Sequence, residues 1–150
     1  MSASANDTVA ELKGRPFEFT AKIPLAEFDL GGVLYHGNYF RFYERAREEF
    51  LSQQHTSYAD LITQGFHLAV TESSQKFSSP IYYGEEIKLE LSSSEIKRTS
   101  VKLYYRLFRN SELIHQATTT HALVKSEAGK FKLARFPDTL KQAFINIVRD

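Results

Sequence analysis

The chain has 150 residues, 42% of them hydrophobic and 25% charged, which suits one domain with one sizeable core. Its formal net charge of +1 sets up no strong field toward nucleic acid or an anionic membrane surface. Cysteine is absent, so disulfides, thiolate metal sites and a cysteine nucleophile are excluded.

Residues 1–13 are small and polar and read as a loose N-terminal arm, with one helical turn near Val9–Leu12. They lack the basic start and apolar core of a signal peptide, and no apolar run approaches the ~20 residues of a membrane helix. The expectation is a cytoplasmic protein with no integral membrane association, and one domain over 14–150. Phe17, Phe19, Ala21 and Ile23 alternate with Glu18, Thr20 and Lys22, a period of two that marks a half-buried strand. Pro24 makes it an edge strand or bends it.

Gly31-Gly32 then breaks the chain. Beyond it Tyr39, Phe42, Tyr43, Ala46 and Phe50 recur at helical spacing on one face, with Asn38 as the expected N-cap. Arg41, Glu44, Arg45, Glu48 and Glu49 fall mostly elsewhere, with Arg45 and Glu49 at pairing distance. Ser57 caps a short second helix that Gly65 stops.

From Phe66 the chain turns to strands. One begins at Phe66 and runs to Phe77. Others carry Ile87-x-Leu89-x-Leu91, then Val101 to Leu107, then the long Thr- and Val-rich run Leu113–Lys125. Arg109–Glu112 and Glu127–Lys130 read as hairpin turns, the second leading into a short strand at Phe131–Leu133. Asp138 is expected to cap a C-terminal helix. One long helix followed by hairpin-linked strands predicts an α+β fold with a largely antiparallel sheet.

The residues with chemical potential cluster between Glu27 and Tyr39. Asp29 alone is a common turn-former beside two glycines. His36 alone is a capping or packed histidine. In register, however, Glu27, Asp29, Gly32, Val33, Leu34, Tyr35, His36 and Tyr39, followed by Phe42-Tyr-Glu-Arg-Ala-Arg, resemble the signature of the hotdog-fold acyl-CoA thioesterases. The group is the 4-hydroxybenzoyl-CoA thioesterase-like one, which includes the Tol–Pal-associated bacterial proteins. The likeness extends more loosely through Phe77–Ser79-Pro80, Gly84-Glu85 and Arg98-Thr99-Ser100. Phe28 stands where Thr or Cys is common, and Ile23–Ala26 lack the family's usual Arg and aromatic.

The resemblance implies a hotdog fold: a curved antiparallel sheet of about five strands wrapped around a long central helix. It implies acyl-CoA hydrolysis to a carboxylic acid and free CoA, with no metal and no cofactor apart from the CoA of the substrate. Asp29 is the implied nucleophile or general base. The backbone N–H of His36 at the helix start is the implied oxyanion donor, and such N–H groups suit that task because they lack intrahelical partners. Tyr35, Tyr39 and Glu44 are candidates for substrate binding, Tyr39 as a lining of the acyl pocket, although both tyrosines also suit plain packing; Arg98, Thr99 and Ser100 are candidates for holding CoA phosphate. Glu44 also suits a plain surface pair with Arg41 or Arg47. His55, His67, His115 and His121 show no metal-ligand spacing, although His115 and His121 fall on one strand face. The family pairs protomers through their sheets, so a homodimer pairing into a homotetramer is expected, with the site shared between chains. Rival readings are a non-catalytic acyl-CoA-binding hotdog module, a hotdog dehydratase, whose His-centred helix motif is missing, and an envelope-associated scaffold.

Overall fold

A computed structural model describes residues 15–149; the expected N-terminal arm lies outside them. Six strands form one antiparallel sheet: β1 (Phe17–Lys22), β2 (Phe66–Phe77), β3 (Glu86–Ser94), β4 (Ser100–Arg109), β5 (Glu112–Glu127) and β6 (Lys130–Leu133). Their spatial order is β1-β3-β4-β5-β2, with β6 beside β5. The last pair of β4 and β5 is Ser100 with Ala122, and β6 takes over at Val124 with Leu133, so β6 prolongs the line of β4.

The sheet curves around α1 (Tyr39–Gln53), the hotdog arrangement that the resemblance implies. The period of two decides which side chains meet the helix. Along β3, Ile87, Leu89, Leu91 and Ser93 are buried; along β4, Val101, Leu103, Tyr105 and Leu107 are buried. The aromatic face of α1 fills the concavity. Tyr39, Phe42, Tyr43, Ala46 and Phe50 are each at most 2% exposed. Phe17 and Phe19 of β1 reach across to Phe50 and Phe42, with ring centroids 5.4 and 5.7 Å apart. Each large apolar side chain removed from water in this way contributes about 1.5–3 kcal/mol. Two short helices close the ends: α2 (Tyr58–Thr63), and α3 (Asp138–Ile145), whose Phe144 stacks toward Phe50 and Phe136. Among the described residues no helix is long and apolar enough to cross a membrane.

The punctuation is mostly as the residues predict. Ser57 Oγ accepts the N–H of Asp60 at 3.2 Å, capping α2. Asn110 (φ +55°), Ala128 (+49°) and Gly129 (+77°) turn the two hairpins. Three local expectations are corrected. Asn38 stands at the N-cap of α1 but makes no side-chain cap; its Nδ2 donates to the carbonyl of Glu27 at 2.8 Å, a tie eleven residues back along the chain. Pro137, not Asp138, occupies the N-cap of α3, so Asp138 falls within the first turn. Arg45 does not pair with Glu49: it lies over the rings of Phe19 and Phe42, and Glu49 accepts from Gln53.

Beneath α1 the packing is not wholly apolar. Arg47, 8% exposed, donates to the hydroxyl of Tyr105 at 3.0 Å and to that of Tyr58 at 3.3 Å. Tyr105 continues to Thr119 and His121 in two 2.8 Å steps. Nearer the start of the helix, Gln75 Oε1 lies 3.1 Å from both the Tyr43 hydroxyl and Nε2 of His115. Burial holds both His115 and His121 well below the usual imidazole range, at about 4, with the Arg47 cation adding to the effect at His121. Both rings are therefore neutral at pH 7.

Candidate active site

The stretch before α1 folds into a small hairpin made of main-chain bonds. Phe28 bridges Leu34, the Asp29 N–H donates to the Val33 carbonyl at 3.0 Å, and the Gly32 N–H donates back to the Asp29 carbonyl at 3.0 Å. Gly32 has φ +82°, a conformation side chains disfavour, which explains the second glycine of the pair. The Glu27 carbonyl then accepts twice, from the Tyr35 N–H at 3.3 Å and from Asn38 Nδ2, so the hairpin is locked onto the start of the helix. The Glu27 side chain sits 3.7 Å from Arg41 of α1 and adds to the same lock.

This locking defines the surroundings of Asp29. Its Oδ1 accepts from the Gly31 N–H at 2.9 Å and, more weakly, from the Val33 N–H at 3.4 Å. Its Oδ2 has no protein donor among the described residues, and the side chain is exposed. One oxygen orients the carboxylate while the other stays open to a reacting atom.

A turn of 3-10 helix over His36–Asn38 leads into α1. Its first main-chain bond runs from the Asn38 N–H to the Tyr35 carbonyl at 2.9 Å, so the N–H groups of His36 and Gly37 precede the turn's own hydrogen bonding. Gly37 is required by its neighbour: a Cβ there would sit 2.7 Å from the Tyr35 ring. That ring is half exposed and lies 4.3 Å from the His36 imidazole, centroid to centroid.

Beside the turn is an open cleft of about 260 Å³ lined by Leu34, His36, Tyr39, Phe77, Ser78, Ser79 and Pro80. Tyr39 forms its wall, with the Phe77 ring edge-on at 5.1 Å and His115 stacked behind at 4.2 Å. Asp29 is not in that lining but stands at the tip of the adjoining hairpin. A larger depression of about 440 Å³ lies near Tyr104, Arg106 and Arg149, and none of Asp29, Tyr35, His36 and Tyr39 lines it.

The chain thus places Asp29 at the tip of a hairpin that runs on to Tyr35, His36 and Tyr39 at the start of α1; of these four, only His36 and Tyr39 line the cleft. Glu44 lies outside that group: its exposed carboxylate is 4.0 Å from Arg47, the ion pair expected of a surface residue. Arg98, Thr99 and Ser100 sit at the other end of β4. Ser100 and Leu107, which pairs with His115, are seven residues apart on one strand, about 23 Å at the usual rise. Sequence reasoning left Leu34, Phe77, Ser78, Ser79 and Pro80 without a role in the cleft. Leu34 stood within the dense register, while the loose likeness through Phe77–Pro80 was the only signal for the other four, because the pairing of Phe77 with His115 is a matter of long-range register.

Comparison with known proteins places this geometry in context. A family model described as the thioesterase-like superfamily matches residues 23–144. The chain is 30% identical over 129 residues to an acyl-CoA thioesterase, YbgC, of Haemophilus influenzae, spanning 85% of this chain and 93% of that one. It is also similar to a crystal structure of a hypothetical protein from Aquifex aeolicus, with TM-score 0.80 and 25% identity, covering 86% of this chain and 99% of the other. A Synechocystis 1,4-dihydroxy-2-naphthoyl-CoA thioesterase has the same fold, with TM-score 0.78 and 24% identity over 85% of this chain and 94% of its own.

Proposed function

The chain belongs to the thioesterase-like superfamily and is a thioester hydrolase, and from that premise we propose that it cleaves an acyl-CoA to a carboxylate and free CoA, with Asp29 as the acting carboxylate. The observation that carries this reading is the division of labour at Asp29: Oδ1 is tied to two N–H groups and Oδ2 is open, beside an apolar cleft and a helix start.

Two routes use that oxygen. Oδ2 attacks the acyl carbon, the C–S bond breaks, CoA leaves as its thiolate, and water hydrolyses the resulting anhydride to restore Asp29. Alternatively Oδ2 takes a proton from a water that attacks the same carbon. In both routes the carbonyl oxygen gains charge, and the N–H of His36 is the proposed donor to it. The acyl group lies along Tyr35 and Tyr39. Neither route calls for a metal or a redox cofactor.

The separation of Arg98, Thr99 and Ser100 from the cleft supports a site shared between copies, in which these residues hold the CoA phosphate of a neighbouring chain. Glu44 reaches such a shared site only from the helix surface. Of the two strands that end the sheet, β1 and β2, the longer is β2, twelve residues, with Val70 and Phe77 about half exposed on it. The proposed assembly is a homodimer along this edge, pairing into a homotetramer. An acyl-CoA substrate also suits a cytoplasmic location.

The test is release of free thiol from short-chain, long-chain and aromatic acyl-CoAs. Asp29→Asn and Asp29→Ala are expected to lower kcat on the order of 10³-fold. Turnover of both variants at the wild-type rate would remove Asp29 from the mechanism. Tight binding of every acyl-CoA with no thiol released would favour a binding module.

A further inference from the structure

We propose that Arg109 and Glu85 form a positioning clamp that fixes the segment 78–85 and, through it, the hairpin carrying Asp29. This builds on the assignment of Asp29 above. Neither residue is marked by its local pattern: Arg109 ends β4 at an ordinary hairpin, and Glu85 follows a glycine in a segment with no helix or strand of its own.

Both terminal nitrogens of the Arg109 guanidinium are engaged. Nη1 donates to Glu85 Oε1 and Oε2 at 3.0 and 3.1 Å and to the Pro80 carbonyl at 3.0 Å. Nη2 donates to Ser79 Oγ at 2.9 Å and to Glu112 Oε1 at 3.1 Å. Glu85 Oε1 also accepts the Tyr82 N–H at 2.6 Å, closing a turn whose third residue, Gly84, has φ +92°. At the other end of the segment, the N–H groups of Ser78 and Ser79 both donate to the Ile114 carbonyl at 3.1 Å.

What this segment supports is the site itself. Ser78, Ser79 and Pro80 line the cleft. The Leu34 N–H donates to the Ile81 carbonyl at 2.8 Å, and Val33 bridges Tyr82. Val33 in turn accepts from the Asp29 N–H and donates to Asp29 Oδ1. Hydrogen bonds joined by one or two residues of backbone thus link the guanidinium to the carboxylate. The Arg109 and Glu85 side chains are 21% and 25% exposed, at the rim and not in the core, where an ion pair adds little to global stability. The weight of the arrangement falls on geometry, and small misplacement of a reacting group is costly.

The experiment uses the full chain with hexanoyl-CoA and benzoyl-CoA as probes. Arg109→Gln is expected to lower kcat about 10- to 100-fold with KM changing far less. Arg109→Lys is expected to recover part of the loss, since an ammonium keeps Glu85 but cannot also reach Ser79 and Pro80. Independently of turnover, amide exchange followed by NMR should accelerate in Arg109→Gln at Asp29 and Leu34 and stay unchanged at Leu89 and Leu103 in the core strands. Unchanged exchange at Asp29 and Leu34 overturns the clamp. So does acceleration spread equally over the sheet, which marks a merely structural role. If wild type releases thiol from neither probe, the exchange result alone decides the clamp.

Discussion

The segment 27–38, a hairpin and a 3-10 turn, and the helix Tyr39–Gln53 adjoin in sequence and share one run of family likeness, yet they are held by opposite means. The hairpin is exposed at its tip, residues 29–32, and owes its shape to main-chain bonds, with Glu27, Asp29, Val33 and Leu34 tied through N–H and carbonyl groups. The helix owes its place to side chains: Tyr43 and Ala46 are fully buried, and Phe42, Phe50 and Leu51 nearly so. A carboxylate in the role proposed for Asp29 cannot also be covered by a core, and its position here comes from backbone geometry. A helix that must fill a sheet's concavity has no such restriction. Substitutions in the two stretches should therefore separate activity from stability.

The largest separation is expected at Phe50, which is 1% exposed and lies between the rings of Phe17 and Phe144. Phe50→Ala should cost about 3–5 kcal/mol, read from the urea unfolding midpoint. Its kcat per folded molecule should stay at the wild-type value, because no reacting group touches that ring. Asp29→Asn should do the reverse, removing turnover while leaving the midpoint in place. A comparable loss of kcat in Phe50→Ala would break the division between the two stretches.

A second contrast lies in pH. His115 and His121 are buried under the helix with folded values near 4, against an ordinary 6.5 in the unfolded chain. Because the folded values are depressed, the unfolded chain binds protons first as pH falls. The stability these neutral rings support is complete above pH 6.5 and is lost as pH drops toward 4, by about 2 kcal/mol for each at pH 5. His121→Gln should flatten the fall of the unfolding midpoint between pH 7 and pH 5. An equally steep fall in that variant would place the titration elsewhere. The groups facing His121, namely Arg47, Tyr105 and Thr119, carry no carboxylate that would reverse the sign.

How much of this was legible follows the same line. The aromatic face of α1, the alternation along β1, β3 and β4, and the two β hairpins follow from spacings of two and of three to four residues, and the structure has them. The family register singled out Asp29 and His36 as candidates, and the structure sets them on the hairpin and on the turn that follows it. What could not be read was each link between residues far apart in sequence. Asn38 looks like a cap, but its amide spans to Glu27. Arg109 looks like a turn residue, but its guanidinium gathers Ser79, Pro80 and Glu85. His115 and His121 were recognised as sharing a strand face, while their burial depended on where α1 crosses the sheet. Local pattern carries no information on such pairings, because one strand register in place of another changes every partner without changing any period.

The smallest expected effect is also the most direct test of whether the hairpin is held by its backbone. Gly32 adopts φ +82°, and a Cβ added there meets nothing within 4 Å. Gly32→Ala therefore adds no clash, only the cost of holding a side-chain-bearing residue in the left-handed region, about 1 kcal/mol. Two outcomes are distinct. If the turn keeps its shape, the unfolding midpoint drops by that amount and kcat is unchanged. If the turn relaxes, the Gly32 N–H leaves the Asp29 carbonyl and the Gly31 N–H leaves Oδ1, and kcat falls out of proportion to the loss of stability. The second is expected, since the strain is concentrated in the four residues that orient Asp29, and an exposed turn yields more readily than the packed helix beside it. Gly31→Ala sharpens the reading: its Cβ would lie 3.2 Å from Asp29 Oδ1, so it presses on the carboxylate with no positive φ to relieve, and a loss of kcat there with an unchanged midpoint ties the effect to the carboxylate and not to the turn.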